Sequence, residues 1–223
     1  MAINRSVDRQ TVSVAETQLA RVASDGCARH PHLHALIESI GPHTGRDLSD
    51  AVHLLCAIHG RHPGLIELAV QHGSPGPVQD WLGRAAEAFE RERLYLVRLT
   101  ATVGPLPSTP GASETESSLV AARHALETLA ISERRGCALG AATALVGDWW
   151  PIRRLLDRAA SRAGIPCPPP SLPDEASILD IVNGAADGLA ADRALAFGGE
   201  QLLLQHRALF DLLEARASAR GDY

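Results

Sequence analysis

Histidines His53, His59, His62 and His72, with His34 further off, gather in the first third of the chain, and Cys56 and Glu67 lie among them. His53 and Cys56 are one helical turn apart, as are Cys56 and His59. Imidazole, thiolate and carboxylate are all ligands for transition metals. The spacing, however, matches no standard site: there is no HExxH, no zinc-finger Cys/His pattern and no ExxH of the di-iron kind. The simpler reading is preferred, in which these rings sit at helix ends and bond terminal carbonyls or water. No metal is expected of the His53, His59, His62 and Glu67 group.

A second candidate lies in the stretch Ser132 to Asp157, SERRGCALGAATALVGDWWPIRRLLD. Glu133 and Cys137 are four residues apart with Arg134 and Arg135 beside them, and a thiol near guanidinium groups is a potential nucleophile. With no histidine nearby in sequence, an inert buried thiol is preferred. Gly136, Gly140 and Ala144 share one side of a helix. Such a face serves either close helix packing, the preferred reading, or a floor on which a flat ligand lies. Asp148 before Pro151 reads as an N-cap that restarts the helix, so a break is expected between Gly147 and Trp150. In that phase Trp149 joins the core, while Trp150 faces partly outward as a ligand or partner contact. The segment ERRGCALGAATALVGDWWPIRRLLD resembles a bacterial family of uncharacterised helical proteins, a likeness that implies no function.

Phe197-Gly198-Gly199-Glu200-Gln201 places a glycine pair in the last helix, where a kink or close ligand approach is allowed. It resembles the glycine-kinked distal helix of heme-oxygenase-like proteins. That resemblance implies a cofactor or small molecule between helices and a proximal histidine near the N-terminus. Only His30, His32 and His34 could serve, and they follow a turn. The candidate ligand-binding residues are therefore Glu133, Cys137, Gly140, Asp148, Trp150, Gly198 and Gly199, with the cofactor and the catalytic residues unknown.

The elements that must position these groups are helices. Apolar residues recur at helical spacing through most segments. Helices are expected over 7–23, through His34 to Ile40, from Thr44 or Asp47 to His59, over 65–71, over 78–103, from Ser113 through Leu129, through the central stretch, over 174–189 and over 195–220. Ser74-Pro75-Gly76-Pro77 and the three prolines of GPLPSTPGAS break the chain. A further break is expected at Ser132 to Gly136, because an unbroken helix from Glu114 to Ala163 would be ~75 Å long. Residues 164–173 hold five prolines and form a stiff connector. The expectation is one all-α domain over residues 1–223, a single bundle of about eight or nine helices.

Composition excludes more than it identifies. All 21 basic residues of the 223 are arginine. Without lysine the chain cannot by itself run Schiff-base, PLP, Walker-loop or kinase chemistry. A net charge of −5 with no basic block argues against nucleic acid. No apolar run reaches the ~18 residues of a membrane span, no leader is evident, and four scattered cysteines suit a reducing compartment. The leading expectation is a cytoplasmic binding or interaction module for a small molecule or a protein, a second copy of itself included. A heme-oxygenase-like bundle is the alternative, and nothing in the sequence decides whether the chain is an enzyme.

Overall fold

The computed structural model describes residues 12–221. Among these, every regular element is a helix: α1 (Val14–Asp25), a 3-10 turn (Cys27–Arg29), α2 (Pro31–Glu38), α3 (Thr44–His59), α4 (Leu65–His72), α5 (Pro77–Thr100), α6 (Ala112–Ala130), α7 (Cys137–Ala163), α8 (Glu175–Ala185) and α9 (Leu189–Ala219). The all-α bundle expected from periodicity is the fold. Of the first expected helix, residues 7–11 lie outside the described part. Ser13 caps α1, its hydroxyl accepting from the Glu16 N–H while the Glu16 carboxylate accepts from the Ser13 N–H.

Helix α7 is the axis of the molecule. Ala141, Ala144, Leu145, Trp149, Ile152, Leu155, Leu156 and Ala160 are all inaccessible to solvent. Helices α1 to α6, α8 and α9 all pack against it. The break before α7 is where the sequence puts it: α6 ends at Ala130, and Gly136 turns the chain at φ 95°, a conformation open mainly to glycine.

The second expected break does not occur. α7 runs without interruption from Cys137 to Ala163 through Pro151, about 40 Å. Asp148 is therefore not an N-cap of its own helix. Proline in a helix interior costs ~3 kcal/mol, through a lost hydrogen bond and a clash with the carbonyl four residues back. That cost is outweighed here by what continuity places: Asp148, Trp149 and Arg153 are each buried in a polar contact that needs α7 to continue.

α7 and α9 run side by side in the same direction. Gly136 lies against Ala191, Ala141 against Gly198, and Asp148 bonds His206, so the register advances along both helices together. The small residues make this possible. A Cβ on Gly140 would lie 1.9 Å from the Leu195 carbonyl oxygen, and one on Gly198 2.0 Å from that of Cys137.

Candidate functional site

The closely packed backbones leave no room for a ligand at the glycines. Gly140 and Gly198 are filled by each other's helix, and a Cβ on Gly199 would lie 2.3 Å from Gln18 Nε2 of α1. Gln18 itself donates to the Gly140 carbonyl at 2.9 Å. Cys137 is buried at the first turn of α7, and Glu133 is exposed in the turn before it. Trp149 is fully buried and Trp150 is 38% exposed. The glycine pair lies well inside α9 rather than at its start. The three histidines near the N-terminus are held by protein groups. His30 Nε2 bonds Asp211 at 2.9 Å, His34 Nε2 bonds the Ala28 carbonyl at 2.7 Å, and His32 is buried, with burial pushing its pKa down. Nothing in this arrangement supports the heme-oxygenase-like reading.

The early histidine group is not one constellation. His53 Nε2 bonds the Gly104 carbonyl at 2.8 Å near the surface. His62 and Glu67 meet Glu90 around the guanidinium of Arg93, which bonds His62 Nδ1 at 3.2 Å, Glu67 at 2.5 Å and Glu90. A fixed cation already occupies that site. His59 turns inward instead, where its ring meets Trp149 and Phe89 edge-on, with centroids 5.3 and 6.2 Å away. Burial, then His206 and Arg93, hold its pKa well below the ordinary imidazole value.

Around His59 the core is polar. His59 Nε2 is 3.1 Å from His206 Nε2, and His206 Nδ1 is 2.7 Å from Asp148 Oδ2. The other oxygen, Asp148 Oδ1, accepts the Cys27 N–H at 2.9 Å. Asp148 thus does cap a helix N-terminus, but that of the 3-10 turn, 121 residues earlier in the chain. A Cβ at Gly26 would collide with that carboxylate at 2.4 Å, so the chain passes there only as glycine. The Cys27 thiol is 3.5 Å from the Asp148 carbonyl oxygen, and burial, followed by the Asp148 charge, pushes its pKa well up. On the far side, Trp149 Nε1 donates to Glu92 at 3.1 Å, Arg153 bonds Glu92 at 2.9 Å, and Arg153 and Tyr95 both bond Asp157. A cavity of about 30 Å³ touches His59, Phe89 and Leu145, room for one or two waters.

An open site lies at the other end of α7 and α9. Arg134, Arg135, Asp187, Ala190, Ala191, Arg193, Ala194 and Phe197 line a groove of about 570 Å³. The Arg134 guanidinium sits 5.6 Å from the centre of the Phe197 ring, and Arg135 pairs with Asp187 at 2.6 Å. Because α7 and α9 are parallel, both N-termini open at this end. Neither N-cap, Gly136 or Gly188, has a side chain; the Cys137 N–H bonds the Arg134 carbonyl at 3.0 Å, and Asp192 lies in the first turn of α9. From the sequence, Glu133 and Cys137 beside this groove were singled out, with Arg134 and Arg135 only as neighbours of the thiol, while Asp187, Arg193 and Phe197 were not among the candidates. The one available signal was the start of α9, since the expected helix begins at Leu195 and the observed one six residues earlier at Leu189.

No helix among the described residues is long and apolar enough to cross a membrane. No curated protein and no solved structure matches the chain. A family model matches residues 22–221, from the end of α1 through α9, and by it the chain belongs to the family of unknown function DUF6975.

Proposed function

We propose that this protein is a binding module whose groove at the joint N-terminal end of α7 and α9 takes a small organic anion. The observation that carries the reading is the groove itself: three arginines against one aspartate, over an apolar floor of Ala190, Ala194 and Phe197. Its volume, about 570 Å³, falls in the range of small-molecule sites. Guanidinium groups hold carboxylate or phosphate oxygens by charge-assisted hydrogen bonds. Two parallel helix N-termini add partial positive charge at the same end. Phe197, 40% exposed under Arg134, offers an aromatic face to the apolar part of the ligand.

Titration calorimetry with phenyl phosphate, benzoate and inorganic phosphate tests this. Saturable binding of phenyl phosphate is expected, with inorganic phosphate weaker because it leaves Phe197 uncovered. Arg134→Ala and Arg193→Ala each lower the affinity about tenfold, the equivalent of one charge-assisted hydrogen bond. Both side chains lie at the surface, so melting temperatures stay unchanged. Absence of saturable binding for all three compounds, or binding indifferent to both substitutions, overturns the reading.

A further inference from the structure

Four carboxylates are buried among the described residues: Asp50, Glu67, Glu92 and Asp148. Three have a guanidinium at their centre. Arg216 and Arg220 bond Asp50, Arg93 bonds Glu67, and Arg153 bonds Glu92. Asp148, 1% exposed, has none; its partners are His206 and the Cys27 N–H. A buried carboxylate is costly unless it is paired and hydrogen-bonded, and in place of a fixed guanidinium Asp148 has one imidazole and one backbone N–H. The groups that do surround Asp148 are metal ligands. Cys27 Sγ, an Asp148 oxygen and a His206 ring nitrogen all lie within 4.8 Å of one another, and all three residues are buried.

We propose that Cys27, Asp148 and His206 form a site for a thiophilic divalent cation of the zinc class. Sulfur, oxygen and imidazole nitrogen together favour such an ion over magnesium or calcium. Bonds of about 2.0–2.3 Å set ligand-to-ligand separations of roughly 3.3–3.8 Å in a tetrahedron. Asp148 Oδ2 and His206 Nδ1, hydrogen-bonded at 2.7 Å, therefore open to that separation as the ion enters between them, while the Cys27 thiol, within 4.8 Å of both, draws in. The supporting contacts are already in place. The Cys27 N–H holds Asp148 Oδ1, and Oδ2 already faces His206 Nδ1, the atom with which it would share the ion. His206 binds through Nδ1 and keeps its proton on Nε2, donated to His59 Nε2 at 3.1 Å, as ligating histidines commonly donate their second N–H. The thiol proton of Cys27 and the proton shared by His206 Nδ1 and Asp148 Oδ2 are both released as the cation enters, so binding strengthens with rising pH. The contrast with the His62, Glu67 and Glu90 group is direct, because Arg93 stands there where an ion would.

The test is cobalt(II) titration of the chelator-treated full chain, followed by visible and near-ultraviolet absorption. One equivalent is expected to give ligand-field bands of a tetrahedral ion and a thiolate-to-cobalt charge-transfer band. Cys27→Ser removes the charge-transfer band, whereas Cys137→Ser, which alters another buried thiol outside the cluster, retains it. X-ray absorption of the zinc-loaded unsubstituted protein gives a second readout that needs no variant, one sulfur neighbour at about 2.3 Å. Absence of one-to-one binding, a band that survives Cys27→Ser, or a zinc shell without sulfur each overturns the proposal.

Discussion

Gly140 and Leu195 stand so close that any side chain at position 140 collides with the neighbouring backbone: a Cβ there lies 1.9 Å from the Leu195 carbonyl oxygen. The obstacle is main chain in the second turn of α9, which cannot swing aside as a long side chain would. Gly140→Ala therefore destabilises the fold despite alanine's better helix propensity, by ~1–3 kcal/mol as the helices are forced apart, and Gly140→Leu by more. Gly83, inside α5, is the control. A Cβ there meets nothing within 4 Å, so Gly83→Ala stabilises by ~0.4–1 kcal/mol. Urea unfolding of the two alanine variants checks the pair, and equal effects would refute the packing account.

Adjacent tryptophans differ in the same way. Trp149 is inaccessible, touches the rings of His59 and Phe89, and donates to Glu92. Trp150 is 38% exposed on the outer side of α7. Trp149→Ala is expected to cost ~3–5 kcal/mol, with an added penalty because Glu92 loses a buried donor. Trp150→Ala costs clearly less. Thermal unfolding of both variants decides the order, and a larger loss at Trp150 would contradict the structure.

How much of this was legible in the sequence depends on distance along the chain. Prolines and glycines mark the helix ends at 74–77, 104–111, 132–136 and 164–173, because those signals act within a few residues. The phase that separates Trp149 from Trp150 is also local. Pro151 misleads for the same reason. Gly-Asp-Trp-Trp-Pro carries every local mark of a helix start, but tertiary partners hold α7 straight through it. Asp148 finds its carboxylate partners 58 residues later at His206 and 121 residues earlier at Cys27, and no spacing rule connects them. The groove likewise joins Arg134 and Arg135 to Asp187, Arg193 and Phe197 only because α7 and α9 pack in parallel.

The Glu92–Arg153 pair is 2.9 Å apart with both side chains buried, and it links α5 to α7. Removing one member leaves the other charge stranded, which costs ~3–5 kcal/mol, while replacing both with apolar groups avoids that penalty. Glu92→Leu and Arg153→Met are each expected to be strongly destabilising, and the double variant less so than the sum. The coupling is measured by a double-mutant cycle in urea. Simple additivity would mean that the two side chains do not depend on each other, although Asp157 and Tyr95 retain part of the network around Arg153.

Acid should unfold this protein through its buried imidazoles. Burial, followed by the charges of His206 and Arg93, holds the folded-state pKa of His59 well below its ordinary value, and burial also lowers that of His32. In the unfolded chain both rings take up a proton near pH 6.5. Between that value and the lower folded-state pKa the unfolded state binds more protons, so unfolding free energy rises with pH. Stability is thus full above about pH 7 and falls as pH drops below about 6.5. His59→Leu removes one of the two imidazoles and flattens the slope, at the expense of the His206 contact. Urea midpoints for the unsubstituted protein and for His59→Leu, measured at about pH 7.5 and 5.5, on either side of the unfolded-chain value, read both effects. A midpoint that does not move between those pH values would contradict a buried neutral His59 whose folded-state pKa is held below that of the unfolded chain.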